Sequence, residues 1–466
     1  MFRLWMKPRP APPPDLRHSS GASKTSFTIS RDSGRQQQDS GTIVQLFNLT
    51  RRSLLAGLAS SIAAPVMARA EQTASLPAGA AKNATQNKLA TRTGVVADRN
   101  ESAMVTQGSA EAVRGAIAMY EEIVAQGGWT KLPNSKLEKG VKSKAVVNLR
   151  ERLVREGYLD LESLGGDSPS TFDDDVARAL KSFQYNHGIY TSGRVDSRTY
   201  AALNIPAEQR LFQLTENLPR VTAYAEGLGE RNILVNIPAL QLETVEGGIV
   251  YARHNVVCGK LERPTPTLAS KVSDVTFNPY WNAPASIVAR DILPKFLEDP
   301  GYLDQMRIRV FDGVGGPEID PRTVDWYSVP PDRYHFRQEP GEQNSLATVK
   351  VNFANKFMVY MHDTPHRELF AQNSRFESSG CVRVDQVRMF IDWILAGQDG
   401  FDEAQFEMIT ATAETYVMPV KSKVDVRFMY LTAWATEDGR VNFRPDAYRL
   451  DGTGFIYGQP EPVAEM

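Results

Sequence analysis

Cysteine and histidine are scarce in this chain, with two and six residues respectively among 466. Two cysteines, Cys258 and Cys381, are too few for a disulfide framework. One bridge remains open by count, and a bridged Cys381 would be lost as a nucleophile. An excess of charge is also missing: 53 Lys and Arg nearly balance 55 Asp and Glu, for a formal net charge of −2. That excludes the broad basic field of a nucleic-acid binder. The apolar run from Leu54 to Val66 is too short to cross a bilayer as a permanent helix. What remains is ordinary globular composition, at a length that allows two or three domains.

The first hundred residues do not read as fold. Residues 1–48 form a disordered extension rich in Pro, Ser, Gln and Arg, and the true start of translation is expected downstream of Met1. Residues 49–70 resemble a twin-arginine signal peptide. Arg51-Arg52 precede the apolar run, and Ala68-Arg69-Ala70 has the small-x-small form of a cleavage site. An uncleaved anchor or a chance apolar stretch is the alternative. Residues 71–107, poor in pattern, read as a flexible tether.

From residue 108 the text is folded. Val113, Ile117, Tyr120 and Val124 share one helical face in a segment over 108–136, ended by Gly127-Gly128. In residues 137–204, Val146, Leu149 and Leu153 make one helical stripe and Val176, Leu180 and Phe183 another. Asp196 is a plausible N-cap for a short third helix reaching Leu203, and His187 reads as a helix-end histidine. A connector over 205–230 follows. The pattern then turns to period two, with "NILVNIPALQLETVEGGIVYARHNVVCG" giving three strands and a hairpin at Gly247-Gly248. Cys258 falls in the apolar strand Val256-Val257-Cys258 and reads as core. "LATVKVNF" and "KFMVYMH" form a further strand pair around Ala354-Asn355. Between these pairs, residues 284–330 are irregular and helix-leaning, the expected signature of a projecting lid whose Ile287, Ile292, Leu293 and Phe296 could close over a substrate.

The second cysteine lies in "YMHDTPHRELFAQNSRFESSGCVRVD", Tyr360 to Asp385, together with two of the six histidines. Cys381 is expected in a turn just before an amphipathic helix capped by Asp385, with the stripe Val387, Phe390, Ile391, Ile394 and Leu395. Gly380 permits positive φ or close backbone approach, and amides of the turn could point at a developing oxyanion. A thiol needs a base or positive surroundings to ionise near neutral pH. His362 offers the first, and Arg383 or the helix N-terminus the second. A metal site is the weaker reading, because His362, His366 and Cys381 make at most three ligands without zinc-motif spacing. A bland loop cysteine also stays open at this point.

Family resemblance bears on that choice. "HDTPHRELFAQNSRFESSGCVRV" resembles the active-site signature of L,D-transpeptidases with the YkuD-type catalytic domain, and more closely the large YcbB-like branch. "CGKLERPTPTLASKVSDVTFNPYWNAPASI" and "YLTAWATEDGRVNFRPDAY" are similar to that branch as well. Residues 137–204, with Gly157-Tyr158, Phe183-Gln184, His187-Gly188 and Gly193-x-Val195-Asp196, resemble a three-helix peptidoglycan-binding domain. The implied fold class is α+β. It comprises a mostly β catalytic domain (a YkuD-like β-sandwich) over 231–450 with an inserted helical lid at 284–330, the small helical domain before it, and a C-terminal tail at 451–466.

The resemblance also implies roles. Cys381 is the nucleophile, His362 the general base, and Ser379 and Gly380 belong to the oxyanion turn. Arg383, Tyr360 and Trp281 attend the substrate. Many smaller members carry histidine where Ser379 stands, which leaves His362 as the one catalytic histidine expected. The implied activity needs no metal or cofactor: a periplasmic enzyme joins peptidoglycan stem peptides, donor and acceptor, in 3–3 cross-links. Other acceptors would make it a D-amino acid exchange enzyme, an L,D-carboxypeptidase, or a tether of outer-membrane or other envelope proteins. A wall-binding structural protein is the non-enzymatic alternative. No nucleic acid and no membrane span after cleavage are expected.

Overall fold

The computed structural model describes residues 93–96, 101–165 and 168–463. The expected signal at 49–70 and the extension before it lie outside the described residues.

The described chain begins with β1 (Gly94–Val95), an edge strand on the catalytic sheet, with Gly94 opposite Arg253. Ala103, Met104 and Val105 are buried. Residues expected in a free tether are therefore docked, because a short apolar triplet finds cover that composition alone does not reveal. α1 (Ser109–Ala125) buries Val113, Ala116, Tyr120 and Ile123.

The small helical domain follows as α2 (Lys144–Arg155), α3 (Asp174–Asn186) and α4 (Ser197–Leu203) around Val146, Leu149, Leu153, Val176, Leu180 and Phe183. Asp173 and Asp196 cap α3 and α4 by accepting from Val176 N at 3.0 Å and Thr199 N at 2.8 Å. Each satisfies an amide that the helix start leaves open, a contribution of about 1 kcal/mol. His187 does end α3, and its Nδ1–H donates to Phe183 O at 2.8 Å.

The expected connector is a helix, α5 (Ala207–Ala225), which packs against α1. Pro219 inside it disguises the element, since proline normally interrupts a helix. Arg220 on its buried face nonetheless reaches Asp451 at 2.6 Å and donates to Leu450 O at 2.6 Å. The C-terminal residues read as a tail are thereby held, and Thr267 N donates to Gly458 O at 2.9 Å.

The catalytic region opens with β2 (Arg231–Asn236), β3 (Gln241–Glu246), β4 (Ile249–Gly259) and β5 (Leu268–Phe277). The β3–β4 hairpin turns at Gly247 and Gly248, both at positive φ (57° and 80°), as expected. An insertion then leaves the sheet through β6 (Trp281–Asn282), α6 (Ala285–Ile287), α7 (Leu293–Glu298) and α8 (Tyr302–Gln305). It continues through β7 (Ile308–Phe311), β8 (Glu318–Ile319) and β9 (His335–Gln338). Its four strands form their own sheet, in order β6-β9-β7-β8. Because β9 returns to pair with β6, the insertion runs from Trp281 to Gln338, wider than 284–330. Ile292, Leu293 and Phe296 fill a core of its own with Trp281, Trp326 and Phe336. They hold the insertion together and do not face a substrate as expected; a sequence stripe cannot say which of two surfaces it covers.

The chain re-enters the sheet at β10 (Val349–Phe353) and β11 (Met361–His362), then β12 (Phe376–Ser378) and β13 (Val382–Val384). α9 (Val387–Ile394) and α10 (Glu403–Ala411) lead to β14 (Tyr416–Pro419), β15 (Asp425–Met429), β16 (Ala433–Ala435) and β17 (Val441–Phe443). Strand order is β4-β13-β11-β10-β5-β15-β2-β3, and β3 pairs back with β4. The mostly β domain expected is present, and the β3–β4 pairing closes the path of its main strands, with β1 and β14 left at its margins. Val256, Val351, Met361, Val382, Phe390 and Phe428 belong to the core it encloses.

Candidate active site

Strand alternation builds the site. Along β10, β11 and β13, Val349, Val351, Met361, Val382 and Val384 point into the core. Their neighbours must take the opposite face. Lys350 pairs with His362, and His362 with Arg383, so three basic residues stand side by side. One position back, Val382 N donates to Tyr360 O at 3.1 Å, which continues the register and puts Cys381 beside Tyr360. The sheet thus gathers Cys381, His362, Arg383 and Tyr360 on one face. Lys350 joins them and was missed; its signal was a lysine alternating with buried valines in Val349-Lys350-Val351.

Cys381 is partly exposed at the end of the turn Ser378-Ser379-Gly380. Gly380 holds φ at +114°, a conformation side-chain-bearing residues rarely adopt. Ser378, 3% exposed, fixes the turn: its hydroxyl donates to Cys381 O at 2.5 Å and accepts from Gly380 N at 3.2 Å. Ser379, singled out from the sequence, is exposed. Two adjacent serines are indistinguishable in a string, whereas burial separates them.

His362 is 5% exposed, and its Nδ1–H donates to Asp363 O at 2.5 Å. That bond fixes the tautomer and leaves Nε2 with the lone pair a base requires. The Asp363 carboxylate is held in turn by Thr348 Oγ1 at 2.7 Å. Burial, together with the charges of Arg383 and Lys350, pushes the imidazole down to about 3, so it rests neutral. Burial also raises the Cys381 thiol, opposed by hydrogen bonds from Tyr360 and by the charges of Lys350 and Arg383. Tyr360 keeps its own proton, because burial and the nearby sulfur drive its phenol well above the usual range.

Trp281 lies at the root of the insertion and donates from its indole to the Tyr360 hydroxyl, which donates to Cys381. Lys350 Nζ sits 4.3 Å from the Tyr360 ring centroid. A line of donors therefore joins the insertion to the sulfur. Arg383 keeps its Nε buried without a hydrogen-bond partner among the described residues.

Two expectations fail here. Cys381 does not precede a helix directly, because β13 intervenes and α9 starts only at Val387. Asp385 does not hold the N-cap position of that helix; Gln386 does, in a left-handed conformation (φ 48°) and without a side-chain capping bond, while Asp385 accepts from Thr93 Oγ1 at 2.7 Å. Lys350 and Arg383 supply positive surroundings for the sulfur. His366 is exposed, 3.3 Å from Glu368. Cys258 is fully buried, and desolvation pushes its thiol up to about 12.

Residues 230–420 match the family model of the YkuD L,D-transpeptidase catalytic domain, and residues 142–203 match one described as "Putative peptidoglycan binding domain". A Haemophilus influenzae protein named "Putative L,D-transpeptidase" is 36% identical over 220 residues, 47% of this chain and 44% of that relative. The chain thus spans less than half the length of the curated relative it matches. A crystal structure of an L,D-transpeptidase from Xylanimonas cellulosilytica aligns at 16% identity and TM-score 0.21, covering 63% of this chain and 98% of that one. Another from Stackebrandtia nassauensis aligns at 14% identity and TM-score 0.23, covering 64% and 97%. On the strength of the two matched segments, this chain carries a catalytic domain of the YkuD L,D-transpeptidase family, with a peptidoglycan-binding domain before it.

Proposed function

We propose that the chain is a cysteine L,D-transpeptidase that cross-links peptidoglycan stem peptides. The observation that carries this reading is the strand register that aligns Lys350, His362 and Arg383 beside Tyr360 and Cys381. In the first step, His362 Nε2 takes the Cys381 proton as the sulfur attacks the carbonyl carbon of the third residue of a tetrapeptide stem. The sulfur passes from a neutral thiol to a charged nucleophile between Lys350 and Arg383, whose charges favour that change. The tetrahedral oxygen is held by the Cys381 amide, since the Gly380 amide is already engaged by Ser378. The carbon–nitrogen bond to the terminal D-Ala then breaks, and His362 returns the proton to the departing amine.

In the second step, an amine from a neighbouring stem attacks the thioester and loses its proton to His362. The carbon–sulfur bond breaks, the thiol is restored, and a 3–3 cross-link results. This chemistry draws on no metal and no cofactor. Water or a free D-amino acid as acceptor would give carboxypeptidase or exchange activity, and a protein amine would give attachment of an envelope protein. The stem acceptor is favoured by the neighbouring peptidoglycan-binding domain. Export by the twin-arginine route to the periplasm belongs to the same reading.

Incubation of purified protein with sacculi, followed by muropeptide separation, tests the proposal. New 3–3 dimers and released D-Ala are expected from the unsubstituted chain and not from Cys381→Ala. Equal yields from both would overturn it.

A further inference from the structure

The small helical domain, α5 and the catalytic domain together enclose a cleft of about 780 Å³, separate from the residues around Cys381. Its wall includes Arg210 from α5 and Arg375 and Arg444 from the catalytic domain. These are 3%, 3% and 7% exposed. Every hydrogen bond they make to a backbone or side chain goes to a neutral acceptor. Arg210 donates to Gln213 Oε1 at 2.8 Å, Arg375 to Val256 O at 3.0 Å and Leu240 O at 2.8 Å, and Arg444 to Asn186 O at 2.8 Å. No carboxylate pairs with any of the three among the described residues. The acids on the same wall are engaged elsewhere: Asp446 accepts from Tyr430 at 2.6 Å, and Asp451 from Arg220 at 2.6 Å. Three buried guanidiniums thus stand around one opening, none of them in a salt bridge among the described residues.

A second observation narrows the ligand. His187 and Arg210 line the cleft, and His187 Nε2 and Arg210 Nε are buried without a hydrogen-bond partner among the described residues. Because His187 Nδ1–H donates to Phe183 O, its Nε2 is an acceptor and calls for an N–H or O–H from the occupant. The wall also carries apolar Ile189, Ala202 and Phe443, beside polar Gln209, Asn373 and Ser374. The complementary molecule carries a carboxylate for the arginines, an amide N–H for His187, and small apolar groups.

We propose that this cleft binds a carboxylate-bearing peptide; on the reading of the active site given above, it is a stem peptide of peptidoglycan other than the one presented to Cys381. The site has a direct path to the chemistry. Arg375 and Phe376 line the cleft, Phe376 begins β12, and β12 ends at Ser378, whose hydroxyl fixes the nucleophile turn. Holding one stem here would raise the local concentration of others on the same polymer near Cys381.

The test uses the chain with Cys381→Ala, titrated calorimetrically with a soluble disaccharide-tetrapeptide. Two sites are expected. Ala201→Glu, which puts an anion on an exposed part of the cleft wall, should weaken one of them about tenfold or more. Ala201→Lys, of similar bulk and opposite charge, should not weaken it. Matching melting temperatures establish that both variants are folded. A single site, or two sites indifferent to Ala201→Glu, overturns the proposal. Displacement by inorganic phosphate at the peptide's own concentration overturns the peptide assignment. The active-site reading fails separately: if Cys381 accepts no acyl group in the unsubstituted chain, the naming of the peptide as a stem falls with it.

Discussion

His362 pairs directly with Arg383 across the parallel strands β11 and β13. A permanently charged guanidinium therefore stands beside the residue that must accept a proton. Burial and this charge keep the imidazole neutral at rest. The same guanidinium, with Lys350, favours charge on the sulfur once the proton leaves. Base and nucleophile rest uncharged and become charged together during attack.

Both cysteines can be tested with one acylating probe. A carbapenem should form a single adduct per chain, mapped to Cys381 by mass spectrometry, because Cys258 is buried with its thiol pushed up to about 12. Cys381→Ala should lose the adduct entirely. His362→Ala should slow acylation by roughly a hundredfold or more, the usual scale for a positioned base. An adduct on Cys258 would contradict this assignment.

The two serines before the nucleophile should behave differently. Ser378→Ala removes two hydrogen bonds that fix the turn and should slow acylation by roughly tenfold or more, at about 1 kcal/mol for each bond. Ser379→Ala touches an exposed side chain and should stay within about twofold. Stopped-flow acylation of the two variants decides it, and the reverse order would return Ser379 to the turn.

The pH profile should change when charge is removed. With His362 at about 3, acylation by the unsubstituted chain should show no loss near pH 6.5 as acid is added. Arg383→Gln removes a cation that depresses the imidazole, so its pKa rises. An acid limb should then move up toward the ordinary histidine range. Identical profiles would mean that Arg383 acts only on substrate.

Stability should fall in acid through histidines buried in the neutral form. His254, 1% exposed, is pushed down to about 4 by burial, below the roughly 6.5 of an unfolded chain. Between those values the unfolded state binds the extra proton, so stability is complete above 6.5 and declines as pH falls toward 4. The share from this residue is about 3 kcal/mol. Urea unfolding at pH 7 and pH 4.5 should show a smaller drop for His254→Gln than for the parent chain. An equal drop would place the sensitivity elsewhere.

The insertion has its own core, distinct from that of the catalytic sheet. Replacing residues 283–336 with a short linker should leave unfolding cooperative while lowering cross-linking, since Trp281 would lose the packing that holds its indole on Tyr360. Thermal unfolding and a muropeptide assay on the same sample report both. Global collapse would show that the two cores depend on each other.

The sequence by itself determined the parts that local chemistry dictates. Asp196 before a short helix, Gly247-Gly248 between alternating strands, and Gly380 before Cys381 each fit a backbone geometry that few residues satisfy. The rare Cys–His combination and its surrounding motif were therefore legible in the string. The tertiary structure decided what depends on register and burial. Lys350 reaches the site because β10 pairs with β11 at His362; its own strand marks which face it takes but not which residue it meets. Ser378 outranks Ser379 because one is buried and the other is not. Ile292, Leu293 and Phe296 turned inward to a second core, and α5 formed despite Pro219 because Arg220 beside it found partners near the C-terminus. The turn bonds of Ser378 are local, but its burial and the other contacts depend on packing and pairing between segments that no local window contains.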